Sequence, residues 1–483
     1  MKLTQLFPEL TTADLEIGGM TMDSRRVQAG DLFFAVPGLQ QDGRDYITQA
    51  VAAGAAAVAY EPADYQLTAL PVPAIAVPGL QQQLSKLAGV FYGQPSQQLS
   101  AIGVTGTNGK TSVSLMLAQA LTAAQKPCGV IGTLGSGMLG QLTEHGMTTP
   151  DPLLVQAQLA RLHAQGASHV AMEVSSHALD QGRVEGVSYA VAIFTNLSRD
   201  HLDYHGDMSA YGAAKALLFK RPLLAAVINI DDEFGRQLAA ESVAPVISYS
   251  LEDTRASVYC SDTAYDSKGV RTTLHGQGET FQLRSALLGS FNLSNLLAVI
   301  ASLSALKVPL SQAVELAAEL QPPAGRMQRL GGGAAPLVVI DYAHTPDALD
   351  KALAALHEHA SGRVVCVFGC GGDRDKGKRA LMAQVAEQCA DAIVVTSDNP
   401  RSEPPQQIIE QICQGMERSG LATVIPNRAA AIAETISAAG VGDVILLAGK
   451  GHETYQEIEG VRHPFSDIEH ARQALLQWEA THA

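Results

Sequence analysis

The stretch AIGVTGTNGKTSVSLMLAQAL, residues 101–121, decides the fold. Its first five residues are apolar enough for a buried strand, and Lys110 opens a helical pattern running to about residue 123. Between them lies the turn Gly106-Thr107-Asn108-Gly109-Lys110-Thr111. A strand that turns through glycines into a helix aims backbone N–H groups and a helix N-terminus at one point, which suits phosphate. Lys110 would neutralise the terminal phosphates, and the Thr111 hydroxyl would hold magnesium. The match to GxxxxGK[ST] is incomplete, because its first glycine falls at Val104 while glycines stand at 103 and 106. The strand-to-helix context outweighs that gap.

Working outward, apolar runs at 169–173, 189–194 and 225–230 repeat the strand pattern between helical stretches, as in a doubly wound parallel sheet. Beyond Pro322, Pro323 and Gly325 a further set at 337–341, 364–368, 392–396 and 444–448 reads as a second parallel sheet. Before residue 90, short strands at 31–36, 55–60 and 74–77 and a helix at 46–53 form a smaller unit, and FYGQPSQQLS (91–100) has linker character. The expected fold is therefore α/β in three domains: a small N-terminal α/β domain (1–90), a central P-loop ATPase-like doubly wound domain (91–325) and a C-terminal Rossmann-like domain (326–483).

Composition narrows the function. With 33 Lys plus Arg against 48 Asp plus Glu, the net charge of -15 would repel a polyanion, so nucleic acid is not an expected partner. No apolar run approaches the roughly 20 residues of a membrane span. The first ten residues lack the regions of a secretory signal, and six cysteines form no CxxC pair, so a cytoplasmic chain with reduced thiols is expected. Cys366 and Cys370 read as inert thiols at the end of a buried strand.

A phosphate loop alone is compatible with switches, kinases and ATPases. No lysine has an aspartate two positions on, so the guanine-reading [NT]KxD motif is missing and ATP is preferred. Glu173, ending an apolar strand, could bring a carboxylate to a metal near the loop, or could merely cap the next helix. Ser175, Ser176 and His177 lack a G-x-S-x-G elbow, which argues against covalent serine catalysis. NLSRDHLDYHG (196–206) gathers polar groups just past a strand end, where α/β sheets place ligands; His201 is its candidate metal ligand, with a hydrogen-bonded loop histidine as the alternative.

GTNGKTS, the Glu173 strand, DHLDYHG, YGAAK (211–215), FNLSN (291–295), GRM (325–327) and DYAHTP (341–346) occur in order along nearly the whole chain. Together they resemble the Mur ligase family, ATP-dependent amide-forming enzymes of peptidoglycan synthesis on which cell-wall biogenesis, cell shape and division depend. DSR (23–25), GDLF (30–33), TTP (148–150) and GCGGDRDKGKR (369–379) are similar to the branch of that family acting on UDP-N-acetylmuramoyl-L-alanyl-D-glutamate. DNPR (398–401) resembles the motif associated with meso-2,6-diaminopimelate rather than lysine as the incoming amino acid. Diaminopimelate carries a far-end carboxylate that lysine lacks, and an arginine fork can bind a carboxylate through two parallel hydrogen bonds.

The resemblance implies roles residue by residue. ATP would be held by Gly106, Thr107, Asn108, Gly109, Lys110, Thr111, Asn292, Arg326, Asp341 and His344. Thr111, Glu173, His201 and Lys215 would hold Mg2+, with Lys215 carbamylated by carbon dioxide, and Lys110, Lys215, Glu173 and His201 would form the catalytic set. The UDP-substrate would contact Ser24, Gln40, Thr148, Thr149, Ser175, Gln181 and Arg183. Diaminopimelate would contact Arg374, Asp398, Asn399, Pro400, Arg401, Gly449 and Glu453. The implied reaction runs through an acyl phosphate, with a monomeric chain as the acting unit. Folylpolyglutamate synthetase shares this logic, but the extra first domain and DNPR stand against it. A lysine-adding enzyme would differ in the amino acid accepted, and a non-catalytic switch would bind ATP without amine-dependent phosphate release.

Overall fold

The computed structural model describes every residue except 39, 40, 419, 421 and 483. The chain divides into two compact units, Met1–Tyr249 with Ala301–Val308, and Ser250–Ile300 with Pro309–Ala483.

The first unit begins with a four-stranded parallel sheet in the order Gly19–Thr21, Asp31–Ala35, Ala57–Tyr60, Ala74–Ala76. Every residue of the Asp31–Ala35 strand is buried, because alternate side chains enter different cores. Leu32 and Phe34 pack with Leu80, Leu84 and Ala88 of the Leu80–Phe91 helix, whereas Phe33 and Ala35 pack with Ile47 and Ala50 of the Ile47–Ala52 helix.

The larger sheet of this unit runs in the order Val246–Ser250, Ala225–Asn229, Tyr189–Phe194, Ser100–Thr105, His169–Glu173, Cys128–Gly132, Gly135–Met138. All neighbours are parallel except the last pair. Ser100–Thr105 leads through the glycine turn into the Lys110–Ala123 helix and is flanked by His169–Glu173 and Tyr189–Phe194. The carboxyl ends of these three strands, where a doubly wound sheet opens a crevice, therefore carry the phosphate loop, Glu173 and the 195–206 segment.

The second unit holds a six-stranded sheet in the order Gln328–Gly331, Leu337–Asp341, Val444–Ala448, Val364–Phe368, Ala392–Val395, Ala422–Val424, antiparallel only at its first pair. Its faces again bury alternate residues: Val339, Cys366, Phe368 and Leu446 on one side, Val338, Val365, Val367 and Leu447 on the other. Cys366 thus lies inside a strand and Cys370 just beyond it; both thiols are buried and burial pushes them up, and no disulfide forms among the described residues.

The apolar strands expected from sequence occur. Strands that the sequence did not announce are antiparallel: the edges at Gly135–Met138 and Gln328–Gly331, the pair Tyr455–Ile458 and Val461–Pro464, and a trio, Val258–Asp266, Gly269–Gly276 and Glu279–Ser285. The trio buries only alternate residues of its middle strand, so it lacks the continuous apolar runs that reveal parallel strands. Among the described residues no helix is long and apolar enough to cross a membrane.

Candidate active site

The glycines of the phosphate loop are required by its backbone. Gly106 (φ 149°) faces Thr195 so closely that a Cβ would collide with its hydroxyl, and Gly109 (φ 87°) adopts a left-handed conformation at the start of the helix. Thr195 and Asn196 latch the turn: Thr107 N donates to Asn196 O at 2.8 Å, Asn108 N to Asn196 Oδ1 at 3.0 Å, and Thr195 Oγ1 to Asn108 O at 2.6 Å. Lys110 Nζ folds back onto Gly106 O (2.8 Å) and Thr107 O (2.9 Å).

Beside the loop, Thr111 Oγ1 donates to Glu173 Oε2 at 3.0 Å. The same carboxylate accepts from Thr133 N at 2.9 Å and Thr133 Oγ1 at 3.1 Å. Burial pushes the Glu173 carboxyl up, against the pull of Lys110 and these donors. Gly132 is small because a Cβ there would meet the Glu173 side chain. Lys215, from the Met208–Ala216 helix, is 1% exposed, donates to Gly106 O at 3.0 Å and sits 4.2 Å from the centre of the Tyr211 ring. Burial, then Lys110, lowers its ammonium to about 6.

His201 stands outside this knot: its Nε2 lies 3.4 Å from Asp200 Oδ2, and its ring meets those of His177 and Tyr211 at 4.9 and 6.1 Å. His205 Nε2 pairs with Ser176 Oγ at 2.9 Å in the same ring cluster.

Four expected substrate residues form one hydrogen-bonded patch. Thr149 Oγ1 donates to Glu173 O at 2.8 Å and accepts from Ser175 N at 3.0 Å. Arg183 reaches Thr149 O at 3.0 Å and grips Gln181 Oε1 at 2.9 and 2.5 Å. Thr148 pairs with Thr133 at 3.1 Å. Ser24 is elsewhere, in a cavity of about 630 Å³ in the N-terminal portion lined by Asp23, Arg25, Phe34, Gln41, Tyr46 and Gln49, and bonded to Gln49 at 3.1 Å. Gln40 lies outside the described residues.

In the second unit, Asp341 Oδ2 accepts from Met327 N at 2.7 Å, and burial pushes its carboxyl up. The Arg326 guanidinium lies 4.9 Å over the Tyr342 ring, with its buried Nε lacking a partner. His344 Nδ1 pairs with Tyr342 O at 2.7 Å. Asn292 is buried and spends its amide locally, on Leu288 O at 2.9 Å and Asn295 at 3.3 Å.

The 398–401 loop and the 449–453 loop come together. Asn399 Nδ2 donates to Glu453 Oε2 at 2.7 Å, and a Cβ at Gly449 would stand 2.5 Å from Asp398 Oδ2. Arg401 (φ 52°) donates to Gly372 O at 2.7 Å, and Pro400 packs its carbonyl on Gly372. Arg374 is exposed. Its loop is braced from below by Arg379, fully buried, which forks onto Glu403 at 2.9 and 3.0 Å.

Sequence reasoning missed Lys450, which is buried against Asn399 and Glu453 at 3.0 Å each, and Thr133 at the Glu173 carboxylate. Lys450 stands in the legible GKGHE run, but nothing local to that run announces its burial.

Comparison with known proteins converges on one family. Residues 16–92 match the profile of the Mur ligase family catalytic domain, residues 104–303 the Mur ligase middle domain and residues 325–451 the Mur ligase glutamate ligase domain. UDP-N-acetylmuramoyl-L-alanyl-D-glutamate--2,6-diaminopimelate ligase of Pseudomonas aeruginosa is 57% identical over 489 residues, covering 100% of both chains. The protein of the same name from Xanthomonas campestris is 52% identical, covering 99% of this chain and 97% of its own. A solved structure of a ligase with that name superposes with TM-score 0.76 at 38% identity, covering 100% of this chain and 99% of its own. Folylpolyglutamate synthase of Mycobacterium tuberculosis shares the fold at TM-score 0.61 and 19% identity, over 76% of this chain and 92% of its own. With full-length identity above one half and family domains matched in order, this chain belongs to the Mur ligase family of ATP-dependent, amide-forming enzymes.

Proposed function

We propose that this ligase joins meso-2,6-diaminopimelate to the D-glutamyl residue of UDP-N-acetylmuramoyl-L-alanyl-D-glutamate, as a cytoplasmic monomer in peptidoglycan precursor synthesis. The observation that carries the choice of amino acid is that one short loop bears both a buried carboxylate, Asp398, and the Arg401 guanidinium, which donates to Gly372 O and lies 3.8 Å from Glu457. An ammonium and a carboxylate carried by one carbon at the far end of diaminopimelate match that pair; lysine supplies only the ammonium. Full-length identity to relatives bearing the diaminopimelate ligase name supports the same choice.

In the first step the D-glutamyl side-chain carboxylate attacks the γ-phosphorus of ATP, an acyl phosphate forms and ADP leaves. Lys110 and the N–H groups of residues 106–111 balance the charge of the transferring group. In the second step the uncharged amine attacks the acyl carbon, the C–N bond forms and phosphate departs, while the amine loses a proton. Asn292, Arg326, Asp341 and His344 are assigned to ATP; the partnerless Arg326 Nε supports a phosphate contact. Thr111, Glu173, His201 and Lys215 are assigned to Mg2+, which when bound supplies charge neutralisation on phosphate oxygens. Thr111 and Glu173, in contact at 3.0 Å, would hold the metal through their oxygens, and Lys215, buried as an amine without an ion-pair partner among the described residues, suits carbamylation.

Ser24, Gln40, Thr148, Thr149, Ser175, Gln181 and Arg183 are assigned to the UDP-substrate. The Ser24 cavity, with Phe34 and Tyr46 beside polar Gln41 and Gln49, has the mixed lining and the size that a nucleoside needs. In this reading domains 1–90, 91–325 and 326–483 serve as the substrate, ATP and amino-acid modules. Mass analysis of the product tests the assignment: incubation with all substrates is expected to yield the UDP-tripeptide with diaminopimelate, and a product extended by L-lysine under competition would overturn it.

A further inference from the structure

Around Asp398 the second unit gathers five ionisable side chains, four buried and one, Glu453, 17% exposed, whose charges do not cancel. Three are acids, Asp398, Glu453 and Asp467; two are bases, Arg428 and Lys450. The set is one positive charge short. Arg428 and Asp467, both fully buried, form a two-pronged pair at 2.7 Å per bond, and Arg428 also donates to Ala448 O at 3.0 Å. That pair is neutral as a whole, although the Arg428 charge also acts on Asp398 and its buried Nη1 has no hydrogen-bond partner. Asp398, Glu453 and Lys450 carry the imbalance.

Lys450 is fully buried, and its Nζ donates to Asn399 Oδ1 and Glu453 Oε2 at 3.0 Å each while remaining 3.9 Å from Asp398 Oδ1. Asn399 Oδ1 also accepts from Glu457 N at 2.9 Å and its Nδ2 donates to Glu453, so the amide has one orientation. No hydrogen-bond donor among the described residues reaches the Asp398 carboxylate. Because residue 449 is glycine (φ 113°), the space beside Asp398 Oδ2 is open; any Cβ would fill it at 2.5 Å. Burial pushes the Asp398 carboxyl up against the pull of Arg428 and Lys450, with Glu453 and Asp467 adding to the rise, and Tyr342, His344 and Cys370 are the other titratable groups within its field.

We propose that Lys450 is a positioning residue for the incoming amino acid: by hydrogen-bonding Asn399 and Glu453 and facing Asp398 only at 3.9 Å, it leaves the Asp398 carboxylate without a hydrogen bond and makes the pocket accept one ammonium. This rests on the diaminopimelate reading above. Without Lys450 the same pocket would hold two uncompensated charges, which a buried site relieves by binding a proton that the substrate must then displace.

The test compares wild type with Lys450→Met and Lys450→Gln. Each variant should raise the KM for diaminopimelate at least about tenfold while moving the KM for ATP and for the UDP-substrate less than about twofold. Calorimetry near neutral pH in buffers of different ionisation enthalpy, with a non-hydrolysable ATP analogue and the UDP-substrate present, should show more protons released per diaminopimelate bound in both variants than in wild type. Equal rises in all three KM values, or unchanged proton release, would overturn the proposal. If both variants fail to fold, wild type alone decides: 2-aminopimelate, which keeps the far carboxylate but lacks the far ammonium, should have a KM at least about tenfold above that of diaminopimelate. Near-equal values would overturn the inference while leaving the ligase reading intact. Failure of wild type to use diaminopimelate at all would instead remove the reading itself.

Discussion

Lys110 and Lys215 donate to one acceptor, the carbonyl oxygen of Gly106, at 2.8 and 3.0 Å. Two ammonium groups on one oxygen repel, and the more buried of them gives up its charge. Lys215 is that one, lowered to about 6 by burial first and by Lys110 second. Near neutral pH it is an uncharged amine, the form that carbon dioxide can carbamylate.

For Lys215 two outcomes are expected. Lys215→Ala should lower kcat at least about a hundredfold with little change in the KM for diaminopimelate, and mass analysis of the wild-type protein should detect a carbon dioxide adduct on this side chain. In buffer freed of carbon dioxide, the unfolded chain binds more protons than the folded one between pH about 6 and 10.5, so wild-type stability rises with pH across that window. Lys215→Met lacks this dependence, so its gain in melting temperature over wild type should shrink as pH rises.

Glu173 should separate activity from stability. Its folded carboxyl is raised, so the folded state holds a proton that the unfolded state has released, and stability falls as pH rises through that window. Glu173→Gln keeps the shape and removes the buried charge. It is expected to melt no lower than wild type above the carboxylate range, while kcat falls at least about a hundredfold.

Arg401→Lys should raise the KM for diaminopimelate at least about tenfold and that for ATP far less, because an ammonium cannot reproduce the planar fork. Equal effects on both substrates would make Arg401 a structural residue of its loop, which its bond to Gly372 O already braces.

Gly449→Ala places a methyl 2.5 Å from Asp398 Oδ2 at a backbone φ of 113°. The strain should cost about 1–3 kcal/mol in stability. The KM for diaminopimelate should rise more than that for the UDP-substrate, as steady-state kinetics would report.

What could be read in the sequence was what local pattern controls. The strand, glycine turn and helix at 101–121 follow from apolar runs and from glycines at 106 and 109, and Glu173 was legible as a strand-end acid. The antiparallel trio over 258–285 was not, because strands with one wet face leave only a weak alternation. Lys450, Arg379 and Arg428 are charges whose burial depends on partners 3 to 51 residues away, at Glu453, Glu403, Asp467 and Asn399. A sequence window cannot distinguish them from solvated charges. Likewise His201 was legible as a polar loop residue, but its packing on His177 and Tyr211 is a tertiary fact.

The reaction proposed here joins diaminopimelate to an activated D-glutamyl carboxylate. Phosphate release from ATP, magnesium and UDP-N-acetylmuramoyl-L-alanyl-D-glutamate, measured with meso-diaminopimelate, with L-lysine and with no amino acid, tests it most directly. Release is expected to depend on diaminopimelate and to stay at background with the other two. Release that is equal without any amino acid, or greater with L-lysine, would contradict it.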